Sequence, residues 1–128
     1  MKSGDLVYKW MTPSPFTVTR DDLLSTADAL FKKHGIRHLP VLDGGVLVGM
    51  LSERDMQVAQ LFAGTREMKV DIVMSTEPYL VDPMTSLTEV AQEMGKRRQG
   101  VAVVVERGNV VGVFTSVDAL RAVAAERA

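Results

Sequence analysis

Cysteine is absent from the 128 residues, which excludes disulfide scaffolds, thiolate zinc sites and cysteine nucleophiles at once. Histidine is nearly as scarce, since His34 and His38 are the only two, too isolated to build a metal site. No sign of charge dominates: 15 Lys and Arg against 16 Asp and Glu leave a formal net charge of -1. A chain so balanced has no field to hold a polyanion, so no nucleic acid partner is expected. No apolar run approaches the roughly 20 residues of a membrane helix, and the opening MKSGDLVYKWMTPSPF lacks the roughly 7–15-residue apolar stretch of a secretion signal. A soluble chain without a membrane partner is expected, and the missing thiols fit a reducing cytoplasm. Catalytic signatures are missing too. There is no G-x-x-x-x-G-K-[ST] or G-x-G-x-x-G string, and no nucleophile beside a base or pair of carboxylates at acid and base spacing. An enzyme is therefore not expected, nor a catalytic cofactor or metal. Hydroxyls, carboxylates, guanidinium groups and backbone amides remain to meet a ligand.

What the chain does have is an internal repeat. At an offset of 63, Val7, Met11, Pro15, Val18, Leu24, Lys33, Val41, Gly45, Val48, Gly49, Asp55 and Ala59 fall without a gap on Val70, Met74, Pro78, Val81, Leu87, Lys96, Val104, Gly108, Val111, Gly112, Asp118 and Ala122. Prolines, turn glycines and aspartates coincide along with the apolar residues, so the halves read as copies of one unit. Residues 1–62 form the first repeat, 63–69 a linker and 70–128 the second.

Each copy can be read for local structure. A helical turn at Val7 to Met11 ends before Thr12-Pro13, and Pro13 and Pro15 force extended backbone into a strand at Phe16 to Thr19. Asp21 or Asp22 can cap a helix whose apolar residues Leu23, Leu24, Ala27, Leu30 and Phe31 recur at spacings of three and four, and Gly35 stops it. His38 to Leu42 and Val46 to Leu51 are aliphatic runs joined at Asp43-Gly44-Gly45, a hairpin signature. A second helix follows from Ser52 to about Phe62. The second copy repeats the plan: a strand at Tyr79 to Val81, a helix from about Ser86 to Arg97, a hairpin of Val101 to Val105 with Val110 to Phe114 turning at Arg107-Gly108-Asn109, and a helix from Thr115. About 50 residues make a marginal core alone, so the copies are expected to pack together.

The strings His38-Leu39-Pro40-Val41-Leu42-Asp43 and Val48-Gly49-Met50-Leu51-Ser52-Glu53-Arg54-Asp55, repeated up to Val111-Gly112-Val113-Phe114-Thr115-Ser116-Val117-Asp118, resemble the CBS domain, named for cystathionine beta-synthase. Their tandem arrangement resembles a Bateman module. The resemblance implies an α/β (α+β) fold of two βαββα repeats, packed through their sheets with pseudo-twofold symmetry to leave two clefts. It also implies a regulatory module that binds an adenosyl ligand such as AMP, ADP, ATP or S-adenosylmethionine, associates as a homodimer and signals to a regulated protein. The Asp ending each [ST]-x-x-D string would hold ribose hydroxyls, with Ser52 and Thr115 facing phosphates. Thr17, Val18, Leu39, Pro40 and Leu51 would enclose adenine in the first site, with His38 in reach, and Leu80, Val81, Ala102 and Phe114 in the second.

The motif also makes chemical sense by itself. Ser52 and Asp55 stand where the free amides and dipole of a helix start favour an anion. The same pattern is a capping box, and both roles can coexist. Apolar strand residues would be buried in any sheet, so a core role competes for each adenine-pocket residue. Trp10 is expected to pack against the other copy. Arg37, matching a phosphate-contacting position of family members, and Arg54 become Gly100 and Val117 in the second copy. A phosphorylated adenosine is therefore expected at Asp55, with weaker binding or none at Asp118. Lys96, Arg97 and Arg98 could substitute in part, or form a solvated helix end. The competing expectation is a dimerisation scaffold whose clefts bind nothing.

Overall fold

A computed structural model describes residues 4–63 and 67–126. In chain order it forms α1 (Val7–Trp10), β1 (Thr12–Pro13), β2 (Val18–Thr19), α2 (Leu24–His34), β3 (His38–Asp43), β4 (Val46–Ser52) and α3 (Glu53–Ala63). Then come α4 (Val70–Val73), β5 (Tyr79–Val81), α5 (Leu87–Arg97), β6 (Val101–Glu106), β7 (Asn109–Thr115) and α6 (Ser116–Ala125). Each copy therefore has the order βαββα, in the mixed α/β (α+β) class the resemblance implies. Of the linker at 63–69, residues 64–66 lie outside the described residues. No helix among the described residues is long and apolar enough to cross a membrane.

The chain divides into two compact units, and they are not the two halves of the sequence. Phe16–Pro78 form one, the inner unit; Met1–Pro15 with Tyr79–Ala128 form the other, the outer unit. The segment that leads into each copy folds with the other copy.

In the inner unit the sheet runs β2-β3-β4, with β2 parallel and β4 antiparallel to β3. Aliphatic residues at alternate positions bury one face, where Val18, Leu39, Val41 and Leu51 meet Leu24, Ala27 and Phe31 of α2, Met56 of α3 and Val70 of α4. Spacings of three and four put those α2 residues on one stripe. Gly35 then takes φ 63° and closes the helix, its N–H donating to the Phe31 carbonyl. Neither Asp21 nor Asp22 caps α2, contrary to the sequence expectation. Asp22 accepts instead from the Thr19 N–H at 2.9 Å, while the Leu24 N–H donates to the Met68 carbonyl at 2.9 Å. A backbone neighbour brought back from more than forty residues away replaces the cap.

In the outer unit the order is β1-β7-β6-β5. Tyr79, Val81, Leu87, Val90, Met94, Ala102, Val104 and Phe114 form its core with Val7 and Ala122. Trp10, from the first copy, packs on this core as expected. Strand β1 is an addition that the two prolines concealed: Thr12 and Pro13 pair antiparallel with Val113 and Gly112. An edge position tolerates proline, because only one side of the strand is bonded. The expected strand at Phe16 to Thr19 shrinks to Val18–Thr19.

Glycine is required where these segments cross the sheets. A Cβ on Gly49 would lie 2.6 Å from the Ser75 carbonyl oxygen and 2.7 Å from the Met74 sulfur. A Cβ on Gly112 would collide with the Met11 sulfur and lie 3.1 Å from the Thr12 carbonyl oxygen. The Met and Gly repeated at offset 63 are thus the two sides of one close approach. Beside each glycine the ladder slips by a residue, between Val41 and Leu42 and between Val104 and Val105, as β-bulges do.

Candidate functional site

Strand β4 runs out at Ser52, whose Oγ accepts from the Asp55 N–H at 3.0 Å and so caps α3. The Glu53 N–H donates to the Arg37 carbonyl at 2.9 Å, and His38 stands opposite Ser52 in the β3–β4 ladder. These two local constraints, a cap and a cross-strand register, bring separate sequence segments to one place. Arg37, His38, Ser52, Glu53, Arg54 and Gln57 line a cavity of about 350 Å³ there. Four of them were named from the sequence. Glu53 and Gln57 were not, although their spacing of four on α3 places them on one helix face.

The cavity mixes two permanent cations with groups that can hydrogen-bond. His38 is half-buried and accepts or donates no hydrogen bond among the described residues. Burial pushes its pKa below the usual 6.5, the Arg37 charge pushes the same way, and the Asp55 carboxylate pulls it back. Asp55 itself is exposed, and its carboxylate accepts no hydrogen bond among the described residues. An uncommitted carboxylate and two guanidinium groups at a helix start suit a ligand carrying both hydroxyls and an anion.

The apolar residues proposed for adenine separate into three groups. Val18, Leu39 and Leu51 point into the inner unit's core, and Val81, Ala102 and Phe114 into the outer unit's; the burial of any sheet accounts for them. Pro40 is buried but alternates with Leu39 and Val41, so it lies on the other face of its sheet. Thr17 is half-buried just before β2, and Leu80 is 52% exposed.

The second copy's motif is built differently. Thr115 and Asp118 form a complete capping box at the start of α6. Asp118 is 4% exposed and accepts from the Thr115 N–H at 2.9 Å and the Thr115 hydroxyl at 3.2 Å. It also accepts from the Thr12 hydroxyl at 3.3 Å and from Arg121 Nη2 at 2.7 Å. Thr12 and Arg121 escaped the sequence reading. The spacing of three between Asp118 and Arg121 was a readable signal; Thr12, 106 residues away, gave none. Lys96 and Arg97 sit in the last turn of α5 and Arg98 caps it. Arg97 lies over the Tyr79 ring, 4.5 Å from its centroid.

Comparison with known proteins adds the family. The CBS-domain family model matches residues 4–61 and 69–125. The CBS domain-containing protein YhcV of Bacillus subtilis is 33% identical over 104 residues, which cover 80% of this chain and 74% of that one. Inosine-5'-monophosphate dehydrogenase of Korarchaeum cryptofilum is 32% identical over 103 residues, covering 80% of this chain but 21% of that enzyme. The CBS domain pair of protein MJ0100, solved in complex with 5'-methylthioadenosine and S-adenosyl-L-methionine, superposes with a TM-score of 0.86 at 26% identity, covering 97% and 99% of the two chains.

Proposed function

The chain belongs to the CBS-domain family, with two CBS domains in tandem, and on that premise we propose that it is a regulatory module that senses an adenosine nucleotide at the start of α3. One observation carries the reading: Asp55 is uncommitted beside a cavity lined by Arg37, His38, Ser52 and Arg54. The carboxylate takes the ribose hydroxyls, Arg37 and Arg54 take the phosphate, and Ser52 with the helix start completes the anion site. The module performs no chemistry of its own. Binding shifts its packing or association, and a partner protein reads the change. The adenosyl ligands in the MJ0100 complex support this ligand class, and the paired guanidinium groups favour AMP, ADP or ATP over S-adenosylmethionine. Homodimerisation belongs to the same reading. Helix α3 displays Leu61 at 83% and Phe62 at 89% exposure beside Val58, an apolar stripe that a second copy can cover.

Calorimetric titration with AMP, ATP and S-adenosylmethionine tests the proposal. Heat is expected for the phosphorylated ligands, and none for Asp55→Ala. Silence from all three at millimolar concentration would leave a ligand-free dimerisation scaffold as the function. Native mass spectrometry of freshly purified protein reads a retained nucleotide and the subunit count together.

A further inference from the structure

A carboxylate offers about four lone-pair positions, and the two motif aspartates spend them in opposite ways. Around Asp118 all are committed: Thr115 supplies its N–H and hydroxyl to Oδ2, while Arg121 and Thr12 reach Oδ1. Around Asp55, among the described residues, none is. At offset 63, Val58 takes the place of Arg121 and Ser75 that of Thr12, and neither gives Asp55 a hydrogen bond. Arg121 is moreover held at two points, for the Nη2 that meets Asp118 also donates to the Trp10 carbonyl at 3.4 Å.

We propose that Arg121 is a specificity-determining residue: by occupying Asp118 from within the chain, it closes the second of the two related nucleotide positions, so that each chain takes one nucleotide, at Asp55. The inference rests on the nucleotide reading above. Both donors make charge-assisted bonds to a carboxylate, but a ribose hydroxyl is neutral, whereas the Arg121 guanidinium adds the attraction of a full opposite charge 2.7 Å from Oδ1. A ribose arriving at Asp118 must displace that cation without a compensating one. Val117 and Gly100 stand where the open site has Arg54 and Arg37, so phosphate gains little there to offset the exchange.

The test is AMP stoichiometry by calorimetry in Arg121→Val, which installs the residue the first copy carries. The wild type is expected to bind one equivalent and Arg121→Val two, the second tightened at least about tenfold. Asp55→Ala should bind none, and Asp55→Ala/Arg121→Val one, which locates the gained site. Circular dichroism and the melting curve establish that each variant is folded. Two equivalents in the wild type, or one in a folded Arg121→Val, would overturn the role of Arg121 while leaving the nucleotide reading intact. No binding by any variant would overturn both.

Discussion

The starts of α3 and α6 occupy equivalent places in the two copies, and one leaves its carboxylate in water while the other buries it. Ser52-Glu53-Arg54-Asp55 makes half a capping box, the serine accepting and the aspartate giving nothing back. Thr115-Ser116-Val117-Asp118 makes the whole box and adds Thr12 and Arg121 to it. The same four-residue pattern thus leaves its carboxylate without a hydrogen bond among the described residues in one copy and is spent on helix stability in the other. A duplicated motif keeps its backbone role more readily than its side-chain role, because the cap needs only neighbours three residues away while the free carboxylate depends on what the rest of the chain brings to it.

The largest expected effect asks where the copies are alike. Gly49→Ala sets a Cβ against a backbone oxygen that cannot swing aside, whereas Gly112→Ala meets chiefly the end of a flexible methionine. Thermal or denaturant unfolding should show a loss of about 3 kcal/mol for the first and about 1 kcal/mol for the second. Equal costs would mean that Met11 is as rigid as the Ser75 backbone.

Next is the division of labour between the aspartates. Asp118→Ala removes the box, leaves the Thr115 N–H without its carboxylate acceptor and takes the ion-pair partner from Arg121, so unfolding should report a loss of about 2 kcal/mol. Asp55→Ala should cost under about 0.5 kcal/mol, as surface changes do, yet abolish calorimetric binding of AMP. A reversal of the two would exchange the roles assigned here.

Acidity distinguishes the copies through His38, whose counterpart is Val101. The folded protein holds His38 below its ordinary 6.5, so the unfolded chain binds the proton more readily. Its contribution to stability is complete above 6.5 and is lost as pH falls through the window between that value and the lowered one. His38→Val should flatten the pH dependence of the melting temperature in that window; an unchanged slope would show that His38 titrates freely.

The last comparison concerns the helix ends. Arg98 caps α5 in the left-handed conformation at φ 55°, where its counterpart Gly35 sits at φ 63°. Arg98→Gly should raise stability, and Gly35→Arg lower it, each by about 1 kcal/mol. A gain for both would show that side-chain contacts outweigh the backbone preference.

Much of the fold was legible because it rests on short-range signals. The stripe Leu24, Ala27 and Phe31, the stop at Gly35, and the paired turns at Gly44-Gly45 and Arg107-Gly108 all follow from spacing and backbone preference. The cluster of Arg37, His38, Ser52 and Arg54 was legible too, since a hairpin and a cap suffice to assemble it. Strand β1 and the uncapped start of α2 were not, because each is completed by backbone from a distant segment.

By itself the sequence determined that one βαββα unit occurs twice, where most of its strands, helices and turns fall, and which residues are equivalent. Those properties depend on periodicity and on conformational preferences that act over a few residues. Only the tertiary structure decided that each lead-in segment folds with the other copy, and that Asp118 is claimed by Thr12 and Arg121 while no described residue claims Asp55. Hydrogen bonds between groups 106 residues apart leave no periodic trace in the chain; they exist only once folding has closed the loop between them.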